Sequence, residues 1–199
     1  MIDLEGAVVR TSLVPREKVA SLLAALKKVP EFGWLLTAPH AEEHRLQGDL
    51  LADFPVALIA PDGRSVSKRF AVMILNNTCD LQPKRSSFVN VAPVIDFEEF
   101  TKAEIAKRGE DGARSYLHDI RSNRVLEMLW LPPFHTFRHG AIVFLDRIGT
   151  AAIQIYEHSL GSNARLASLS QNGFYYFLIK ITTHLARAES AEVRRDDSS

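Results

Sequence analysis

Three short stretches carry side chains able to do chemistry. The first is Asn76-Asn77-Thr78-Cys79-Asp80, five small or polar residues that directly follow an apolar run. Functional groups concentrate on the loops after strand ends. There Cys79 would be a nucleophile or substrate contact if a cation lowered its pKa, Asp80 a base, and Asn77 a substrate contact. The competing reading is turn chemistry: Asn and Asp bond to nearby backbone, and Cys79 is a small hydrophobe. The second stretch is Lys68-Arg69, at the other end of the same apolar run and close to Arg64. An arginine there can stabilise an in-line phosphoryl transition state without a metal. The plain alternative is a solvated charge at the start of a strand. The third stretch is Pro133-Phe134-His135-Thr136-Phe137-Arg138-His139-Gly140. The spacing of His135 and His139 suits metal ligation, but the Pro and Gly flanks make a loop of it, and no metal or cofactor is expected. Phe137, Arg138 and His139, with His135 to move a proton, are types that stack on bases and touch phosphates. Against this stands a hairpin whose Phe residues tuck into the core.

The elements that must position these stretches are partly legible. From Pro15 to Val29 the apolar residues Val19, Leu22, Leu23, Leu26 and Val29 follow helical spacing, and Pro30 ends the run. Strands are predicted at Gly6–Arg10, Asp49–Phe54, Val56–Ala60, Phe70–Leu75, Phe88–Val94, Val125–Leu131, Ala141–Arg147 and Thr150–Tyr156, with Pro61-Asp62-Gly63 as a turn. Asp96 caps a helix that carries Glu98 and Glu99 in its first turn, is broken at Asp111-Gly112 and restarts toward Ile120. Ser170 caps a last helix whose Phe174, Phe177, Leu178, Ile181 and Leu185 share one face. The polar tail 189–199 is expected to be flexible.

Helices and strands do not alternate regularly, which disfavours a doubly wound parallel sheet. The expected fold is α+β: a small SH3-like antiparallel β-barrel or a bent sheet, with flanking helices. One domain is expected over residues 1–188, with the barrel core at about 48–156 and helices at 15–29 and 171–188.

Composition narrows the function classes. The 199 residues are 46% hydrophobic, and 24 basic side chains balance 24 acidic ones. Zero formal net charge argues against a general polyanion binder but leaves room for a local basic cleft. The single cysteine, Cys79, excludes an intrachain disulfide and points to a reducing, cytoplasmic setting. No apolar run reaches the ~18 residues of a bilayer span, so no membrane partner is expected. Phosphate-loop, dinucleotide-binding, nucleophile-elbow and zinc-protease signatures are all missing from the sequence.

The stretch Gly48 to Val94 resembles the MazF/PemK-type toxins, on Gly48-Asp49 opening a strand, Lys68-Arg69 leading into an apolar strand, and Val91-Ala92-Pro93-Val94. The resemblance covers about a quarter of the chain. It implies an SH3-like barrel and metal-independent RNA cleavage of the toxin–antitoxin or defence type. In that reading the RNA 2′-hydroxyl attacks the adjacent phosphate, Arg69 stabilises the developing charge, and Asp80 or His135 moves protons. Phe70 stands where the family has Pro after the Arg, and Ile95 and Asp96 stand where a hydroxyl residue is expected. Leu75 to Leu81 is also similar to uncharacterised bacterial proteins in which an apolar strand runs into a Cys-Asp pair, with no chemistry to carry over.

Two functions follow as expectations. One is an endoribonuclease or RNA-binding protein whose partner is single-stranded RNA. The other is a non-catalytic protein-interaction module with a degenerate barrel, acting as a homo-oligomer or complex subunit. For the second, the run Phe174-Tyr175-Tyr176-Phe177 offers aromatics all round a helix, more than one buried face needs.

Overall fold

The computed structural model describes residues 13–26, 32–39, 44–59, 62–162 and 164–185. The predicted strand at Gly6–Arg10, the end of the first helix at 27–29, Pro61 and the tail 189–199 lie outside them. The elements run α1 (Arg16–Leu26), a 3-10 turn (Phe32–Leu35), β1 (Leu36–Thr37), β2 (Leu50–Ile59), β3 (Ser65–Ile74), β4 (Phe88–Asp96) and α2 (Phe97–Arg121). Then come β5 (Met128–Leu131), β6 (Ala141–Phe144), β7 (Gly149–Ala152), α3 (Ile153–Gly161), β8 (Arg165–Leu169) and α4 (Gln171–Leu185).

The strands form one antiparallel sheet in the order β1-β8-β2-β3-β4-β6-β5, with β7 pairing the first half of β4. The sheet bends without closing. Of the two expected forms, the bent sheet with flanking helices is the one present, and the closed barrel is corrected. β4 explains the bend. Its residues Phe88–Val91 pair β7, and Val94–Asp96 pair β6. The switch of partner falls at Ala92 and Pro93, where proline has no N–H to donate. β7 then lies over β2 by side-chain contact: a Cβ on Gly149 would meet Val56 Cγ1 at 2.8 Å. This curl encloses a smaller core of Leu51, Phe54, Val72, Val89 and Tyr156, while the larger core lies between the sheet and α1, α2 and α4.

Several predicted boundaries move. The two strands predicted at Asp49–Phe54 and Val56–Ala60 merge into one, β2 (Leu50–Ile59), with a bulge between Leu51 and Phe54, where Asp53 takes a φ of 47°; Ala60 lies outside the described residues. Thr150–Tyr156 splits instead of forming a strand: β7 ends at Ala152 and α3 begins at Ile153. The break in α2 falls at Gly109 (φ 74°, ψ 166°), three residues before the predicted one. The predicted strands at Val125–Leu131 and Ala141–Arg147 shorten to β5 and β6. The aromatic run of α4 turns inward: Tyr175, Tyr176 and Phe177 are buried and Phe174 is half-buried. Those rings fill the core of the chain itself, which removes the reason they gave for a dimer.

The predicted caps are present. Asp96 Oδ1 accepts from the N–H groups of Glu98 (2.8 Å) and Glu99 (3.2 Å). Ser170 Oγ accepts from Gly173 N–H at 3.0 Å. Replacing Asp96 by alanine is expected to cost about 1 kcal/mol of stability, the usual effect of losing such a cap. A shift in the urea midpoint measures it, and an unchanged midpoint would contradict the cap's role.

Gly48-Asp49 has a structural task. Asp49 is fully buried, accepts from Ser168 Oγ at 2.7 Å and Leu46 N–H at 3.2 Å, and pairs with Arg165 at 3.2 Å. It ties the start of β2 to β8. Burial, and then the Asp49 carboxylate, push the neighbouring Tyr156 hydroxyl up to about 12.

Candidate functional site: two adjoining clefts beside the 134–137 turn

The 134–137 segment is a tight turn. Phe134 and Phe137 exchange backbone hydrogen bonds of 3.3 and 2.9 Å, and His135 takes a left-handed φ of 43°. Their rings stand 4.9 Å apart, half-buried against the larger core. The hairpin reading of the two Phe residues therefore holds, while His135, Arg138 and His139 are left exposed.

Two clefts flank this turn. The first, about 590 Å³, lies between the middle of β3, the end of β4 and the start of α2, and includes Arg69, Phe70, Asp96, Lys102 and Phe137. The second, about 330 Å³, is lined by Phe97, Thr101, Arg121, Trp130, Arg138 and His139. Both are lined by Glu98. That carboxylate binds Lys102 at 2.7 Å and faces His139 at 3.4 Å. The Lys102 hydrogen bond, and after it the charges of Lys102 and His139, hold its pKa below the usual carboxylate value. Glu98 is thus partly neutralised, and the second cleft offers Arg121 and Arg138 against one paired acid.

Its back wall is aromatic. The Arg121 guanidinium lies 5.7 Å from the Phe97 ring and 5.8 Å from Trp130, and the two rings meet edge to face at 6.4 Å. A guanidinium held on aromatic faces keeps its plane presented for stacking. The Trp130 backbone is fixed by Asn123, whose side-chain oxygen accepts from the Trp130 backbone N–H at 2.7 Å and whose side-chain nitrogen donates to the Trp130 carbonyl at 3.0 Å.

The first cleft is less favourable to an anion. Arg69 donates to Asp53 Oδ1 at 2.7 Å and also to the Asp53 carbonyl. This bond lowers the Asp53 pKa and raises that of Arg69, so the pair is charged at neutral pH. Asp96, Glu98 and Glu99 stand in the same cleft. Lys68 is exposed on the neighbouring position of β3.

Asn77, Cys79 and Asp80 sit elsewhere. They follow the far end of β3, and five residues of strand, about 17 Å, separate Arg69 from Ile74. The structure therefore brings Arg69 and Phe137 together, and Arg138 with His139, but does not bring Asp80 to Arg69. In the turn, Asn77 Oδ1 accepts from Cys79 N–H at 2.9 Å, and the Asn77 carbonyl accepts from Asp80 and Leu81. Asn76 bonds the Phe88 carbonyl and the Asn90 N–H, extending the β3–β4 contact. These are turn duties, and they let Leu81 anchor the smaller core.

Sequence reasoning missed Phe97, Thr101, Arg121 and Trp130 as cleft residues. The one available signal was Trp130, three residues before the start of the third stretch, Pro133 to Gly140. Among the described residues no three His, Cys, Asp or Glu side chains group so as to hold a metal ion, and no helix is long and apolar enough to cross a membrane. No protein-family model matches the chain, and no curated protein matches it.

Proposed function

We propose that the protein binds single-stranded RNA, seating one nucleotide in the cleft of Arg121, Trp130, Arg138 and His139. The observation that carries this reading is the pairing of an aromatic-backed guanidinium with the exposed Arg138 in one nucleotide-sized cleft. Base stacking on aromatic and guanidinium planes, with cations at the phosphates, is how single strands are held. The resemblance of Gly48 to Val94 to RNA-cleaving toxins points to the same ligand. In this account the strand continues toward Phe137 and Arg69 in the adjoining cleft.

The reading is of binding rather than cleavage. Arg69 spends its guanidinium on Asp53. A phosphate would have to displace Asp53, and of the two expected proton movers Asp80 lies beyond the other end of β3 and His135 is not among the residues that line either cleft.

Fluorescence anisotropy with an end-labelled, mixed-sequence single-stranded RNA, in EDTA and about 0.1 M salt, where the Debye length is about 10 Å, tests this. Arg138→Glu is expected to weaken binding at least tenfold, since it removes one phosphate contact and adds a repulsion. Lys84→Glu, on the turn beyond the far end of β3, is expected to leave affinity within about twofold, because exposed charges more than ~10 Å apart are largely screened. Absence of binding by the parent, or equal losses in both variants, would overturn the proposal.

A further inference from the structure

A separate cavity of about 490 Å³ opens at the Ile74 end of β3, where the lead-in to β2, the 75–81 turn and the first turn of α4 meet. That volume is in the range of small-molecule sites, roughly 300–1,000 Å³. Its apolar walls are Leu46, Leu169 and the half-buried ring of Phe174, and its polar groups include Gln47, Thr78 and Gln171. Among the described residues no charged side chain lines it.

Two of the polar groups are held in place by the fold. The Gln47 backbone N–H donates to Thr78 Oγ1 at 3.1 Å, and the Gln47 side-chain amide donates one proton to the Leu75 carbonyl at 2.7 Å. A hydroxyl that accepts in this way still has its own proton to donate, and an amide that gives one proton still has its carbonyl to accept with. Thr78 therefore keeps a donor and Gln47 an acceptor, on two lining residues that the Gln47 N–H bond ties together. Gly48, directly after Gln47, is locked by its N–H bond to the Ile74 carbonyl at 2.8 Å and by Leu169 packed where a Cβ would stand.

We propose that this cavity binds an uncharged, planar ring carrying an amide edge, an adjacent N–H and C=O, with the ring against Phe174 and the edge on Thr78 and Gln47. A charged ligand would lose hydration there without gaining a counter-charge from the described residues. An oxo-pyrimidine or oxo-purine base has this shape and edge. The site is independent of the RNA cleft, and gives Thr78 a role that the turn alone does not use.

Saturation-transfer NMR with free uracil as the probe tests the proposal. The full chain is expected to transfer magnetisation to the uracil ring protons. 1,3-Dimethyluracil, which keeps the ring and loses both N–H donors, is expected to give at least a fivefold smaller signal. Thr78→Val should reduce the uracil signal to a similar degree, and Gln171→Glu, on the exposed rim, should weaken it without touching the core. Circular dichroism of both variants should match the parent. No transfer to uracil at millimolar concentration would overturn the proposal, as would equal transfer to the dimethylated ring or unchanged signals in both variants. A parallel titration with a uridine-rich RNA separates the two sources of such a ring. Competition with free uracil identifies a base of the strand as occupant, and its absence identifies the free compound.

Discussion

Gly173→Ala is expected to cost about 3 kcal/mol, the upper end of what overpacking does. A Cβ at that position would fall inside the Leu35 carbonyl oxygen, 2.9 Å from its carbon and 3.1 Å from Leu35 Cα. All three are backbone atoms, so no rotamer change relieves the clash. The neighbourhood is also tied down: Ser170 N–H donates to the Leu35 carbonyl at 2.9 Å, and the Ser170 hydroxyl donates to the Trp34 carbonyl. Relief would have to come from moving α4 off the 3-10 turn, which opens the contacts of Tyr176 with Phe32 and Trp34. Gly33, two residues from Leu35, has nothing within 4 Å of its Cβ position, so Gly33→Ala is expected to stay within about 0.5 kcal/mol of the parent. Urea unfolding of the two variants checks the contrast. Similar midpoints for both would show that α4 does not pack as described.

The second large effect concerns Lys180. Its side chain is fully buried on α4 and donates to the Asn123 carbonyl at 2.7 Å. Burial pushes its pKa down from the usual 10.5 to about 7, with Glu127 opposing the shift in part. In the unfolded chain the amine keeps its usual value. Between about pH 7 and 10 the unfolded chain therefore holds a proton that the folded chain has released. Stability then rises with pH across that window, by about 1.4 kcal/mol per pH unit at most. Above pH 10 the sign reverses: burial holds the Tyr156 and Tyr176 hydroxyls above their usual value, so the unfolded chain loses those protons first. Lys180→Met keeps the length and removes the titration. Its stability should be nearly flat from pH 7 to 10, so the parent's advantage over it should grow with pH, on top of about 1–3 kcal/mol for the carbonyl that loses its donor. Urea midpoints at pH 7, 8.5 and 10 test this, and parallel rises in parent and variant would rule out Lys180 as the cause.

Three of the four helices, α1, α2 and α4, were legible from their apolar spacing and from cap residues of the right type. Asp96 and Ser170 both cap as their positions suggest. The sheet was less legible. β8, Arg165–Leu169, gave no signal, because its buried Arg165 and Ser168 make sense only opposite Asp49, 119 residues before Ser168. Thr150–Tyr156 misled because a short apolar run does not distinguish strand from helix, and the change at Ile153 leaves no mark in the residue types. The sheet's failure to close was equally hidden, since it depends on β4 exchanging partners at Pro93.

The candidate site divides in the same way. The third stretch was identified as a presenter of aromatic and basic groups, and Arg138 and His139 do line a cleft. Its other wall comes from α2 and β5, brought there by tertiary packing that no local pattern encodes. Arg69, Asp80 and His135 were grouped by residue type, and the length of β3 keeps the first two apart.

The most direct test of the account is the footprint of a short single-stranded RNA on the amide and indole NMR signals of the full chain, in EDTA. The account predicts that titration moves the signals of Arg121, Trp130 and residues 134–139, with smaller changes near Arg69. Arg138→Glu should abolish these shifts at the same RNA concentration. Saturating RNA that leaves those signals in place, or shifts only signals away from the two clefts, would contradict it.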